Sequence, residues 1–238
     1  MSSNRPLLNQ TPLVAPQISD ERVGAFLRSV YGWMCLGLLV TAGVAFAIAS
    51  SQTFIETLLL NRVLIWIILL AQLGLVFYLS ARVDKVAPTT AAGLFLVYSA
   101  LVGVTTSVIL LVYTAASITS TFVIAASMFA AMAGFGTLTK RSLAGWGQFL
   151  FMGLIGLIVA MIVGLFWQND ALQFVISVVG VLIFTGLTAW DAQRLKQMAV
   201  ALPDGRVGSY AVVGALSLYL DFINLFFMLL RLMGGRRD

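Results

Sequence analysis

The sequence predicts an all-α polytopic membrane protein, and three observations carry that reading. Of its residues 61% are hydrophobic and 10% charged. The mean hydropathy of +1.02 exceeds what a soluble domain sustains. The charges gather in short clusters between long uncharged runs. A hydrocarbon core about 30 Å thick takes about 20 helical residues per span, which leaves room for six or seven helices and little else.

The elements follow in order. Residues 1–29 hold Pro6, Pro12, Pro16, Asp20, Glu21 and three arginines, and read as a polar cytoplasmic tail. The triplet Ala45-Phe46-Ala47 mimics a cleavage site, but it lies deep in a run too long for a signal peptide. A first span is expected at 30–50, before a polar turn at Ser51, Gln52 and Thr53, and a second at 63–80. Arg82, Asp84 and Lys85 form the next loop, and Pro88 opens the following helix as proline does at a first turn. No charge occurs from Val86 to Thr139, about twice what one span uses, so the chain must turn inside that run. The expected hairpin is Thr114-Ala115-Ala116-Ser117, giving spans at 91–113 and 118–137. Spans five, six and seven are expected at 149–166, 172–191 and 210–233, and 234–238 form a short tail. The membrane domain is thus 30–233.

A cytoplasmic amino terminus puts Arg5, Arg22, Arg28, Arg82, Lys85, Lys140, Arg141, Arg194, Lys196 and Arg206 on that side, against Arg62 on the other. An odd number of spans exports Arg231, Arg236 and Arg237. Either the last helix is carried across by the earlier ones, giving seven full spans, or one segment is re-entrant.

Composition also excludes functions. The net charge of +5 lies at the ends of apolar runs, with no basic patch interleaved with aromatics, so no nucleic-acid partner is expected. The chain has no histidine, which removes His-ligated zinc and haem and every Ser-His or Cys-His arrangement. Its single cysteine, Cys35, forms no disulfide within the chain. Neither Asp191 nor Asp221 sits in the Gly-x-Gly-Asp of intramembrane aspartyl proteases, and Lys85, Lys140 and Lys196 lie at span ends, where no retinal could be held. No enzyme activity and no resident cofactor are expected.

Two acids stand out because they fall inside apolar runs. A carboxylate at bilayer depth is costly unless it is protonated, paired, hydrated or bound to a cation. Tyr210, Gly214, Ser217, Asp221 and Asn224 share one stripe of the seventh span at helical spacing. Ser177, Thr185, Thr188 and Asp191 form a comparable stripe on the sixth, with Arg194 a turn further on. If the sixth helix continues past Met198, the carboxylates come to about one level. They would then share a proton, or recruit a hard cation such as calcium. The plainer alternatives are an ion pair between Asp191 and Arg194, and an Asp221 held by Ser217 and Asn224.

The stretches Thr185-Gly186-Leu187-Thr188-Ala189-Trp190-Asp191-Ala192-Gln193 and Ala215-Leu216-Ser217-Leu218-Tyr219-Leu220-Asp221-Phe222-Ile223-Asn224-Leu225-Phe226 resemble the two signature segments of the Bax inhibitor-1 family. Tyr31-Gly32-Trp33-Met34, and Leu96-Val97-Tyr98-Ser99-Ala100-Leu101 through Val112-Tyr113-Thr114, resemble its bacterial YccA/YbhL-type branch. The similarity spans nearly the whole chain after the tail. It implies a seven-helix bundle of the inner membrane with the last helix central, acting as a pH-sensitive calcium leak. It also implies that Asp191 and Asp221 form the pH sensor and calcium-related site. In some members an arginine near the end of the second helix engages the pair; here the basic group is Arg82, about two positions displaced. A membrane-bound protease is an implied partner, so the competing reading is a regulatory adaptor that transports nothing.

Overall fold

The computed structural model describes residues 14–167, 169–203 and 206–237. The expected features at Arg5, Pro6, Pro12, Asp204, Gly205 and Asp238 lie outside them. The described helices are α1 (Val14–Ala49), α2 (Gln52–Leu60), α3 (Arg62–Ala81), α4 (Pro88–Thr106), α5 (Ile109–Val112), α6 (Ala115–Leu138), α7 (Ala144–Phe166), α8 (Asp170–Ala201) and α9 (Val207–Met233). Seven segments are long and apolar enough to cross a bilayer, with α4 and α5 together forming the third.

Periodicity explains how each helix finds its place. On α1, Phe26, Val30, Met34, Gly37, Thr41 and Ala45 are buried and recur every three or four residues, so they form one face. That helix packs against α4, α8 and α9. It runs unbroken across residues 29–30, so the expected boundary between tail and first span is not a break in the backbone. α9 is buried on nearly every side: Ala211, Ala215, Leu218, Tyr219 and Leu225 are fully enclosed. It packs against α1, α3, α4, α6 and α8, the central position that the resemblance implied. α7 lies outside, against α8, and turns Phe149, Phe151, Met152 and Ile155 outward, where lipid is their solvent.

Two polar contacts cross the middle of the bundle, beside one within α1. Thr41 Oγ1 lies 2.6 Å from Tyr219 Oη, 2.9 Å from Ser99 O and 3.0 Å from Gly37 O, joining α1, α4 and α9. Phe95 and Tyr98 pack edge-on against the Tyr219 ring at 5.6 and 5.9 Å. The phenol is thereby fixed in two ways.

The loops sort to two ends. At the near end, Arg22 reaches Leu202 O, Lys196 Nζ donates to Thr137 O at 2.7 Å, and Arg206 pairs with Asp84. At the far end, the segment after α9 clips onto the turn before α6: Thr114 N donates to Gly235 O at 3.1 Å and Arg237 N to Val112 O at 2.9 Å. The described ends of the chain therefore lie at opposite ends of the bundle, with seven full spans between them.

Several boundaries differ from the sequence reading, for local reasons. The expected turn at Ser51–Thr53 leads into α2, whose Gln52 Nε2 donates to Glu56 Oε1 at 3.0 Å. The third span breaks at Ser107–Val108, where Thr105, Thr106 and Ser107 hydroxyls bond to the carbonyls of Val102 and Val104. The turn between α5 and α6 is shorter than expected, because Thr114 caps α6 and Ala115 is already helical. α8 does not end at Asp191 but runs ten residues further, to Ala201.

Candidate functional site

The extension of α8 sets the depth of the candidate site. Asp191 lies about 15 Å from the near end of α8 and Asp221 about 21 Å from the near end of α9, a difference of about one helical turn. Two contacts hold α8 in that register. Gln193 accepts from Leu143 N at 2.8 Å and donates to Arg141 O at 2.9 Å, stitching α8 to the loop before α7. On the other side, Gly214 lets the Leu195 side chain lie against α9: a Cβ there would meet Leu195 Cδ2 at 2.5 Å. The helices approach closely just below the two acids.

There Asp191 and Asp221 are side-chain neighbours. Both are buried, at 9% and 5% exposure, so neither can be treated as a solvated surface acid. Asp221 Oδ2 receives no hydrogen bond from any N–H or hydroxyl among the described residues. Its polar neighbour is an acceptor too, unless one of the two is protonated.

The surrounding groups divide. Asp191, Arg194 and Ser217, with Ser80, Val83 and Tyr210, line a cavity of about 150 Å³ between the ends of α3, α8 and α9. That volume holds several waters, and its walls supply polar partners for them. Asp221 is not part of the lining. Arg194 acts on Asp191 through its charge, but its guanidinium stacks over the Trp190 ring at 5.3 Å. Among the described residues no ion pair joins it to Asp191; the ion pair seen there is Arg206–Asp84. Thr188 Oγ1 donates to Phe184 O at 2.8 Å and Asn224 Nδ2 to Leu220 O at 2.8 Å, so both side chains satisfy their own helices. Arg82 is exposed, with its guanidinium 5.8 Å from the Tyr78 ring centre.

The structure adds a clasp at the mouth of the cavity that the sequence reading missed. Asp84 Oδ1 accepts from Tyr210 Oη at 2.7 Å and from Arg206 Nη1 at 2.6 Å, tying the loop after α3 to the start of α9. The Tyr210 hydrogen bond, helped by the Arg206 charge and opposed by desolvation, holds the Asp84 carboxyl below its usual range. Tyr210 had already been placed on the polar stripe of the last span; nothing in the spacing indicated Asp84 as its partner.

Comparison with known proteins is consistent along the chain. The model of the family described as "Inhibitor of apoptosis-promoting Bax1" matches residues 23–238. Inner membrane protein YbhL of Escherichia coli K12 is 48% identical over 225 residues, covering 92% of this chain and 96% of that protein. A Borreliella burgdorferi protein is 44% identical over 215 residues, 90% of this chain and 93% of its own. YrjE of Lactococcus lactis is 38% identical over 240 residues, 97% of this chain and 100% of its own.

Proposed function

The chain belongs to the Bax inhibitor-1 family, and from that premise we propose that it is a cation leak of the inner membrane in which Asp191 and Asp221 respond to protons and calcium is the cargo. One observation carries the reading: the polar neighbour of a buried carboxyl, Asp221, is another carboxyl. Two such groups in a poorly hydrated place need compensating positive charge. A shared proton supplies it and ties α8 to α9. When that proton leaves, the carboxylates separate or a hard cation replaces it, and calcium prefers oxygen ligands.

The donor set suits passage better than storage. Among the described residues no group of three or more His, Cys, Asp or Glu could hold a metal. The pair thus offers calcium a few oxygens, with water and the Ser217 hydroxyl for the remainder, where tight sites gather six to eight. The cavity beside Asp191 gives ions and water an approach from the near end. That end carries Lys85, Lys140, Arg141, Arg194 and Lys196, and by the positive-inside rule it faces the cytoplasm.

The test is calcium flux into liposomes containing the purified chain, measured across the acidic to neutral range. The proposal expects flux that depends on pH, with the dependence lost in Asp191→Asn and in Asp221→Asn. Flux indifferent to pH, or unaltered in both variants, would discard it. No flux at all, with a membrane protease co-purifying from both variants, would favour the adaptor reading instead.

A further inference from the structure

A second concave site lies away from the carboxyl pair, on the outside of the bundle. A groove of about 730 Å³ opens between α6, α7 and α8 at the near end. Gly153, Gly186 and Ala189 are among its lining residues, as are Phe135, Trp146 and Leu182, which are exposed to the surroundings. Along α8 it runs from Val179 to Trp190, about 16 Å of helix, close to the roughly 15 Å of hydrocarbon in one leaflet. Gly147 keeps its upper end shaped, because any Cβ there would collide with the Trp190 indole.

The polar end of this groove is basic. Arg141 and Ser142 belong to its lining, Lys140 precedes them, Arg194 stacks on Trp190, and no carboxylate lines it. The Arg141 side chain has no hydrogen-bond or ion-pair partner among the described residues. Trp146 and Trp190 stand at the same level, where indoles mark the boundary between hydrocarbon and headgroups.

We propose that this groove binds an anionic glycerophospholipid of the adjoining leaflet, with an acyl chain along the apolar floor and the phosphate at Arg141 and Ser142. Length, lining and charge agree with that occupant: an apolar track one leaflet deep ends in an unpaired guanidinium and a hydroxyl. Basic pockets between helices on the cytoplasmic side select anionic headgroups for this reason.

The experiment uses the full chain in a mild detergent, offered dioleoyl phosphatidylglycerol or dioleoyl phosphatidylcholine, with bound lipid counted by native mass spectrometry. Retention of phosphatidylglycerol should exceed that of phosphatidylcholine by about fivefold, and Arg141→Gln should erase the preference. Leu182→Trp, which fills the groove from its exposed side, should lower retention of both lipids. Equal retention by the native chain, or a preference that survives Arg141→Gln, overturns the proposal. A photo-crosslinking side chain at Phe149 gives a readout that does not depend on the folding of those variants. In native membranes, lipid adducts support the assignment, and protein adducts in their place contradict it.

Discussion

Tyr210 donates to Asp84 at 2.7 Å across 126 residues of sequence, and so fastens the loop after α3 to the first turns of α9 at the mouth of the cavity that Asp191 lines. Both ends of that bond are near solvent, and the accompanying Arg206–Asp84 pair is more than half exposed. Screening by salt therefore weakens it.

The clasp has a defined response to pH. Because Asp84 is held below its ordinary value of 3.8, its contribution is present above that value and is lost as pH falls through the lowered one. The contact should thus persist through the neutral range and open only in strong acid. Hydrogen exchange at the amides of residues 211–214, the first that α9 itself bonds, would report this. Slow exchange at neutral pH should become fast in Asp84→Asn, whereas a clasp that opens between neutral and mildly acidic pH would contradict the assignment. The neutral-range response proposed above would therefore rest on groups other than Asp84.

The buried node of Thr41 and Tyr219 should matter for stability. A hydroxyl has one proton, so Thr41 donates to one carbonyl while Tyr219 donates to Thr41. Tyr219→Phe removes one bond and should cost about 1 kcal/mol, whereas Thr41→Val leaves the buried phenol short of an acceptor and should cost about twice that. Thermal unfolding in detergent gives the order. A larger loss in Tyr219→Phe would show that the donor assignment is reversed.

Gly136 should tolerate no side chain. A Cβ there would collide with the Ala189 carbonyl of α8, which is backbone and cannot turn aside. Gly136→Ala should destabilise by about 1–3 kcal/mol through separation of α6 from α8. Gly134 on the same helix, where a Cβ meets nothing within 4 Å, is the control and should accept alanine with little change. Equal melting points for the two variants would refute the close approach.

The clip at the far end fixes the topology. With Cys35 replaced by serine, Arg237→Cys and Lys85→Cys should react with a membrane-impermeant thiol reagent from opposite faces of the membrane. Labelling of both from one face would require a re-entrant segment in place of seven spans.

These results also mark what the residues could reveal unaided. The spans were legible because apolar runs and their charged borders follow bilayer thickness, and Asp191 and Asp221 stood out as candidates because ionisable groups there are exceptional. The extension of α8 was not. Arg194 and Lys196 read as loop charges, yet one stacks on Trp190 and the other reaches the end of α6. Thr188 and Asn224 fell on the right faces, but helical spacing cannot say whether a side chain bonds outward or to its own backbone. The partnership of Asp84 with Tyr210 and Arg206 joins exposed loop and helix-end positions, where no periodicity operates.

The central claim is that Asp191 and Asp221 share a proton, and infrared difference spectroscopy of the reconstituted protein tests it most directly. A protonated-carboxyl band should come and go as pH is cycled between acid and neutral, and should be lost or shifted in both Asp191→Asn and Asp221→Asn. A band that is absent, or that persists unchanged in either variant, would mean that the two carboxyls do not titrate as one unit.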